Sequence, residues 1–272
     1  MNILFSITVL LFTTFSLFAQ EEPEVESEGN KGKIYFYWGW NRGGFSNSDI
    51  TFSGSDYNFT LKEVVANDRP TSFDAKTYFA PGSATIPQYN FRIGYFITDN
   101  YNISFGIDHM KYIMKQDQTV KIDGEINNSG TIYDGTYSND DIQLTEDFLQ
   151  FEHTDGLNYA NIAFRRFDEI YEIFKIKISL TEGLGVGILY PRTNTTLLNK
   201  ERYDEFHLAG YGIDAVVGVN FSFLKYFFVQ SELKGGYINM PDIRTTNSES
   251  DKASQDFFFS QIMVVFGASI SI

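Results

Sequence analysis

Hydrophobic and polar residues alternate along the last sixteen residues of the chain, Phe257–Ile272. The even-numbered positions from Phe258 onwards are mostly large and apolar, whereas the odd-numbered positions include Gln261, Gly267 and Ser269. A repeat of two residues is the pattern of a β-strand whose two faces meet different surroundings. A strand that is apolar on one side and small or polar on the other is typical of a membrane-spanning β-barrel.

Seven further segments are predicted as strands, most of them with this alternation, so the sequence predicts eight strands. Two of them, Tyr89–Thr98 and Tyr101–Lys111, flank an Asp-Asn step that is typical of a tight hairpin turn. The segment Leu157–Phe167 is the least regular, because the adjacent Arg165 and Arg166 leave open which of its faces is polar. The other four predicted strands are Ile34–Asn41, Ile176–Tyr190, Ala209–Phe223 and Phe227–Tyr237.

Long and short connections alternate between the predicted strands. The short ones lie around Asp99, at Asp168–Lys175 and at Leu224–Tyr226. Outer-membrane barrels combine short periplasmic turns with long extracellular loops, and an even number of strands leaves both termini in the periplasm. The pattern therefore places four long loops together outside the cell, namely Arg42–Gln88, Tyr112–Gly156, Pro191–His207 and Ile238–Asp256.

The apolar face must point either into the barrel or out of it. In lipocalin-type and other soluble eight-stranded barrels, the apolar face points inward and the outer surface is polar. Here the apolar face carries large Phe, Tyr, Ile and Val side chains, which suit lipid acyl chains, so a membrane barrel is favoured. Glu182 is an exception on this face, and we attribute it to a bulge or strand offset. The opposite face is rich in glycines that fit a narrow interior, namely Gly94, Gly106, Gly183, Gly185, Gly187, Gly212, Gly218 and Gly267.

This arrangement of strands and loops resembles the small outer-membrane β-barrel proteins of Gram-negative bacteria, of the OmpA/OmpX type. The resemblance covers Ile34–Ile272 and rests on architecture rather than on a short motif. It implies an all-β, antiparallel, up-and-down transmembrane β-barrel of about eight strands. It further implies an integral outer-membrane location, with outer-membrane lipid around the barrel.

The N-terminal residues predict export. Residues 1–20 form an uncharged, apolar run that is followed at once by the acidic stretch EEPEVE. Such a run is short for a spanning helix and is typical of a cleaved signal peptide. Residues 21–33 are then expected to form a flexible periplasmic segment before the barrel of residues 34–272.

Composition excludes several classes of site. The chain contains no cysteine, which excludes a disulfide framework, an iron–sulfur site and a thiolate zinc site. Its formal net charge of −14 opposes binding to nucleic acid. We expect no cofactor and no bound metal.

Charged residues on the inward face of the predicted strands form the first candidate site. An eight-stranded barrel has room inside for little more than side chains, so these charges must lie close together and be paired. We interpret them as an ion-pair plug in which Arg92 pairs with one of the carboxylates, and keep a proton or ion path as the alternative. The five residues are Arg92, Asp108, Asp214, Glu232 and Lys234.

The second candidate site lies where the second long loop enters the fourth strand. Glu152 and Asp155 flank His153, and carboxylates beside a histidine can orient the ring or raise its basicity. Outer-membrane lipid A deacylases are similar in size and carry a His-x-Ser pair, but the residue two after His153 is Asp155, so no catalytic role is carried over. The favoured interpretation is a hydrogen-bonded rim, with His109 as a neighbour.

The loops carry the leading hypothesis on function. Alternating residues in the first long loop, such as Phe45, Phe52, Tyr57, Phe59 and Leu61, predict extra strands above the bilayer. We expect a non-enzymatic barrel with a largely filled lumen and a structural or surface-interaction role, in which the loops bind an extracellular ligand or an envelope protein. The alternatives are an outer-leaflet lipid-modifying hydrolase and a narrow ion or small-solute channel.

Overall fold

The computed structural model describes residues 29–83 and 86–271, so the predicted signal peptide, residues 1–20, lies outside the described residues. No helix in this described part is long and apolar enough to cross a membrane. The regular elements are β1 (Lys33–Phe45), β2 (Ser48–Ser53), β3 (Tyr57–Val64), β4 (Ala66–Asp68), α1 (Ala75–Phe79), a 3-10 helix (Pro81–Ser83), β5 (Tyr89–Phe96), β6 (Tyr101–Met114), β7 (Thr119–Ile126), β8 (Gly135–Gln143), β9 (Leu149–Ile173), β10 (Ile176–Leu189), β11 (Arg192–Leu197), β12 (Tyr203–Phe206), β13 (Gly210–Phe223), β14 (Phe227–Arg244) and β15 (Lys252–Ser271).

Eight of these strands close into an antiparallel barrel. Their order is β1-β5-β6-β9-β10-β13-β14-β15, and β15 pairs back onto β1 from Lys33↔Ser271 to Phe45↔Phe259. The ring follows the order of the strands along the chain, and each of its members overlaps one of the eight predicted segments. The predicted all-β, up-and-down barrel is therefore confirmed. Closure leaves no unpaired strand edge within the ring.

The outer wall of the barrel is apolar. On each barrel strand, the side chains at one set of alternate positions fill the lumen. Large aliphatic and aromatic side chains at the other alternate positions point outward. In water this surface would be strongly unfavourable, while a bilayer covers it, so the barrel spans the outer membrane. We call it the lipid-facing band; its exposed residues include Phe36, Ile93, Tyr95, Ile103, Phe105, Ile162, Phe164, Leu184, Val186, Ile188, Tyr211, Ile213, Val217, Leu233, Ile262, Val264 and Phe266.

Glu182 stays on the outer face, so the predicted offset that would remove it from this face is wrong. The register of β9 against β10 shifts between Ile178 and Ser179, on the periplasmic side of Glu182. The Glu182 side chain therefore still points outward. Glu182 instead lies opposite Arg166 on β9, with 3.9 Å between the carboxylate and the guanidinium. A cationic neighbour therefore accompanies this outward carboxylate.

Two of the inward glycines make room for charged side chains of the neighbouring strand. A Cβ added at Gly106 would lie 2.5 Å from Nη2 of Arg92, and one added at Gly185 would overlap the carboxylate of Asp214. These distances are below van der Waals contact, so a larger residue would displace the charge. The narrow interior thus depends on glycine next to Arg92 and next to Asp214.

The long loops fold into a second layer above the barrel, which we call the cap (the described residues of 46–88, 110–156, 191–209 and 239–257). The extracellular end of β15 pairs with β2, and the sheet continues through β3 and β7 to β8. On another side of the cap, β11 pairs with β9 and with β12, while β4 pairs with β6. The loops therefore build regular sheet instead of irregular chain.

The cap has its own hydrophobic core. Phe52 and Phe59 stack with their ring centroids 5.3 Å apart, and Phe151 meets Phe52 edge-on at 5.6 Å. The predicted extra strands of the first loop are confirmed as β2 and β3, since the alternating residues of both strands are buried here. Core members include Ile50, Phe52, Tyr57, Phe59, Leu61, Ile122, Ile126, Phe148, Phe151, Leu197 and Ile243.

Candidate functional site

Six charged side chains meet inside the lumen, at the level of the lipid-facing band. Each is at most 6% exposed, and three cationic groups face three anionic ones. Equal numbers of the two signs allow the charges to neutralise one another where water is scarce. The alternation of the strands predicts five of them, whereas the face of the sixth, Arg165, stays open from the sequence. The set is Arg92, Arg165, Lys234, Asp108, Asp214 and Glu232.

Arg165 and Glu232 form the first ion pair, between Nη2 of the guanidinium and Oε1 of the carboxylate. Tyr37 joins them, because its hydroxyl oxygen accepts a hydrogen bond from Nη1 of Arg165 at 3.1 Å and the hydroxyl donates to Oε2 of Glu232 at 3.3 Å. Gln230 donates a short hydrogen bond to the same carboxylate. The pair is thus held by two neutral neighbours.

Lys234 forms the second group with two carboxylates. Its Nζ lies 2.5 Å from Oδ2 of Asp108 and 3.9 Å from Oδ1 of Asp214. Asn161 donates to Asp108 at 3.2 Å, and the hydroxyl of Tyr159 donates to Asp214 at 2.9 Å. A single lysine therefore serves two buried carboxylates. Asn90 donates to the other oxygen of Asp108 at 2.5 Å, whereas Oδ1 of Asp214 accepts no hydrogen bond among the described residues.

Arg92 has neutral partners, so the expected pairing of Arg92 with a carboxylate is wrong. Its guanidinium donates to the Tyr37 hydroxyl at 3.1 Å, to Ser104 Oγ at 2.9 Å and to Asn161 Oδ1 at 2.6 Å. Within residues 29–83 and 86–271 no carboxylate lies at ion-pair distance from it. Arg92 thus connects the two ionic groups through Tyr37 and Asn161.

Aromatic side chains close the lumen at its periplasmic end. The ring of Tyr35 lies 5.5 Å from that of Phe96, 5.9 Å from that of Phe167 and 6.5 Å from that of Phe228. These residues form a buried cluster together with Met263 and others. From periplasm to cap, the lumen is therefore filled first by rings, then by the ionic network and finally by the core of the cap.

His153 lies in the core of the cap and is fully buried. Its Nδ1 is 2.9 Å from Oγ1 of Thr193 and its Nε2 is 3.1 Å from Nε2 of Gln255, while the rings of Tyr112 and Phe151 pack against it. Burial lowers the pKa of His153 to about 3. The ring is therefore neutral at physiological pH and acts as a structural hydrogen-bonding group.

The predicted rim cluster around His153 is not formed. Glu152 points away from the core, where it accepts a hydrogen bond from Asn194 at 2.8 Å, and Asp155 lies 3.6 Å from Arg192. His109 stacks on Tyr89 with 5.0 Å between ring centroids. Neighbouring residues on a strand face opposite sides, which separates Glu152 from His153.

An irregularity in β9 separates the other members. Gly156 has a φ of +139°, and the register of β6 against β9 shifts between Met110 and Tyr112. The shift lies between His109, which bonds to Asn158 at 2.8 Å, and the pair Tyr112↔His153. The hydrolase hypothesis therefore lacks the pairing of base and carboxylate that it needs. Among the described residues, no group of three or more His, Asp or Glu is arranged to hold a metal ion.

The stability of the cap is expected to fall on acidification because of His153. In the unfolded chain this ring binds a proton near pH 6.5, but in the folded chain only near pH 3. Protons therefore favour the unfolded state as the pH falls from 6.5 towards 3, with a slope of at most about 1.4 kcal/mol per pH unit. Urea titrations at pH 7 and pH 4.5 measure the loss. His153→Asn should reduce it, and an unchanged loss in that variant would assign the effect to other groups.

No protein-family model matches this chain, and neither does any curated protein sequence. Among solved structures, it is similar to outer membrane protein OprG from Pseudomonas aeruginosa (9% identity, 90% of this chain, 98% of that chain, TM-score 0.42). It is also similar to outer membrane protein AlkL (11%, 93%, 97%, 0.41) and to Ail, the attachment invasion locus protein of Yersinia pestis (9%, 88%, 99%, 0.36). Such low values say nothing about activity, and the barrel assignment follows from the chain's own strand pairing.

Proposed function

We propose that this protein is a closed, non-enzymatic outer-membrane barrel that displays its folded cap to a partner outside the cell. The filled lumen is the observation that carries the proposal. Transport needs a continuous polar path, whereas here aromatic rings, a neutral ionic network and the cap core follow one another along the barrel axis. With the interior filled in this way, the exposed surface of the cap offers the chemistry for an interaction.

The hairpin of β7 and β8 is the most strongly charged part of that surface. Residues 119–143, which form this hairpin, contain five acidic residues and one lysine. This lysine, Lys121, is already paired with Asp141 at 2.8 Å. A field of one sign attracts and orients partners of the opposite sign, so we expect the partner to be cationic.

The side chains of the hairpin, more than its backbone, are expected to contact the cationic partner. Among the described strands, β8 is the last of its sheet and pairs only with β7, so its outer edge is free for another strand. However, Asn139 has a φ of +58° at a register shift, and Asp140 and Asp141 follow it. A bulge and charges on an edge strand oppose the addition of a further strand.

Charge-neutralising variants test whether the hairpin carries the binding. Full-length protein in nanodiscs is titrated with an octalysine peptide, with octaglutamate as the reference peptide. Glu125→Gln, Asp140→Asn and Asp141→Asn together should weaken octalysine binding at least about fivefold, because several charge pairs are lost and each is worth a few tenths of a kcal/mol or more.

A matched variant removes the same number of charges elsewhere on the cap. Glu201→Gln, Glu205→Gln and Glu249→Gln neutralise three exposed carboxylates of the third and fourth loops. Their combined effect on octalysine binding should be clearly smaller. Equal weakening by the two triple variants would show that net charge, and not the hairpin, controls binding, and this would contradict the proposal.

A further inference from the structure

Part of the first long loop packs on the outer wall of the barrel and not in the cap core. We call residues 71–80, which include α1, the wall segment. Trp40 points outward on β1, and its ring lies 5.5 Å from each of the rings of Tyr78 and Phe79. The same tryptophan lies 5.9 Å from Phe266 of the lipid-facing band. The wall segment therefore continues the surface that lipid covers.

Two cations of the barrel wall bond to this region. Lys111, on β6, donates to Oγ1 of Thr71 at 3.1 Å and to the carbonyl oxygen of Ile86 at 3.0 Å. Arg42, on β1, donates to the Tyr78 hydroxyl at 3.4 Å, and that hydroxyl donates to the carbonyl oxygen of Thr71 at 2.6 Å. Two cations that project from the wall thus find partners in the segment and its flank.

The opposite side of the wall segment carries two uncovered aromatic rings. Phe73 is 72% exposed and Phe79 is 65% exposed. Asp74 caps α1 by accepting a hydrogen bond from the backbone N–H of Thr77 at 2.8 Å, which fixes the short helix between the two phenylalanines. An aromatic pair held outward beside a lipid-covered wall has the arrangement of an interfacial anchor.

We infer that the wall segment is embedded in the outer leaflet of the membrane, where lipid acyl chains cover Phe73 and Phe79. Continuity with the lipid-facing band through Trp40 and Phe266 favours lipid over a protein partner. The exposed ammonium of Lys76, on the same helix, can extend to headgroup phosphates while its stem stays beside acyl chains. This placement is independent of the partner proposed for the β7–β8 hairpin.

Single-cysteine labelling tests the inference, because the chain has no cysteine of its own. Phe79→Cys carries a bimane label, and Ile132→Cys is the control, since Ile132 is 89% exposed between β7 and β8. Both proteins are reconstituted in phosphatidylcholine vesicles with and without a nitroxide on the lipid acyl chain. The nitroxide should roughly halve the emission of the label at residue 79 and leave that at residue 132 almost unchanged.

A label-free measurement guards against an effect of the bimane itself. The only two tryptophans of the chain, Trp38 and Trp40, both lie on β1 beside the segment. In Phe73→Asp/Phe79→Asp the segment should leave the wall, so acyl-brominated lipid should quench tryptophan emission more strongly than in the unchanged protein. Equal acyl-chain quenching at residues 79 and 132, with residue 79 quenched by aqueous iodide instead, would overturn the inference. A folded barrel resists detergent until it is heated, so it migrates differently in unheated and heated detergent gels. A retained difference, the heat-dependent gel shift, verifies that each variant is folded.

Discussion

Replacing Arg165 by methionine is expected to lower the free energy of unfolding by about 3 to 5 kcal/mol. The guanidinium is paired with Glu232, and both side chains are at most 1% exposed. Methionine keeps most of the volume but leaves three lumen carboxylates facing only two cations. Glu232 would then be a buried charge without a direct counter-ion, while Tyr37 would lose one of its donors.

The temperature at which the folded gel band converts to the unfolded one measures this loss. Arg165→Met/Glu232→Gln should recover much of the stability, because it removes both members of the pair together. Arg166→Met is the matched control on the exposed side of β9 and should have a small effect. If Arg165→Met is as stable as the unchanged protein but alters conductance in planar bilayers, the network lines an ion path and the closed-lumen proposal is wrong.

Replacing Phe52 by alanine is expected to destabilise the cap by about 3 to 5 kcal/mol. The ring is fully buried between Phe59 and Phe151, so its removal leaves a cavity in the core that links β2 to the rest of the cap. The ionic network of the lumen lies outside this core. The loss should therefore appear in the cap, while the barrel keeps its heat-dependent gel shift.

Trypsin treatment of intact cells separates the two layers. The folded cap of the unchanged protein should resist cleavage, whereas Phe52→Ala should be cut within the first two long loops, for example at Lys62 on β3. Thr51→Ala is the control: its hydroxyl bonds only to Thr60 at 2.9 Å and is partly exposed, so it should cost about 1 kcal/mol or less. Loss of the gel shift in Phe52→Ala would show that cap and barrel unfold as one unit.

Local alternation was sufficient to predict the barrel strands and the faces of most of them. In a barrel every second side chain meets lipid, so the requirement for apolar residues is written into each strand separately. The predicted strand Ala209–Phe223, for example, corresponds to β13 at Gly210–Phe223. The same period placed Glu232 and Lys234 on the inward face, because a strand cannot change its parity without a bulge.

Only the tertiary structure decided which charged side chains form ion pairs with one another. Arg165 and Glu232 are 67 residues apart, and Lys234 and Asp108 are 126 apart, so pairing depends on ring closure and on strand register. The double arginine at Arg165 hid which of the two faces inward. Closure resolves it, since only one can reach Glu232 while the other lies beside Glu182 on the lipid-facing side.

The cap shows the same division between local pattern and long-range contact. Alternation in the first loop predicted strands, but not that β2 would pair with β15, which lies at the other end of the chain. At His153 sequence proximity was misleading: a strand sends adjacent side chains to opposite faces, and a bulge near Gly156 changes the register. Local pattern thus determined which residues meet lipid and which face inward, whereas packing of distant strands determined which of them meet one another.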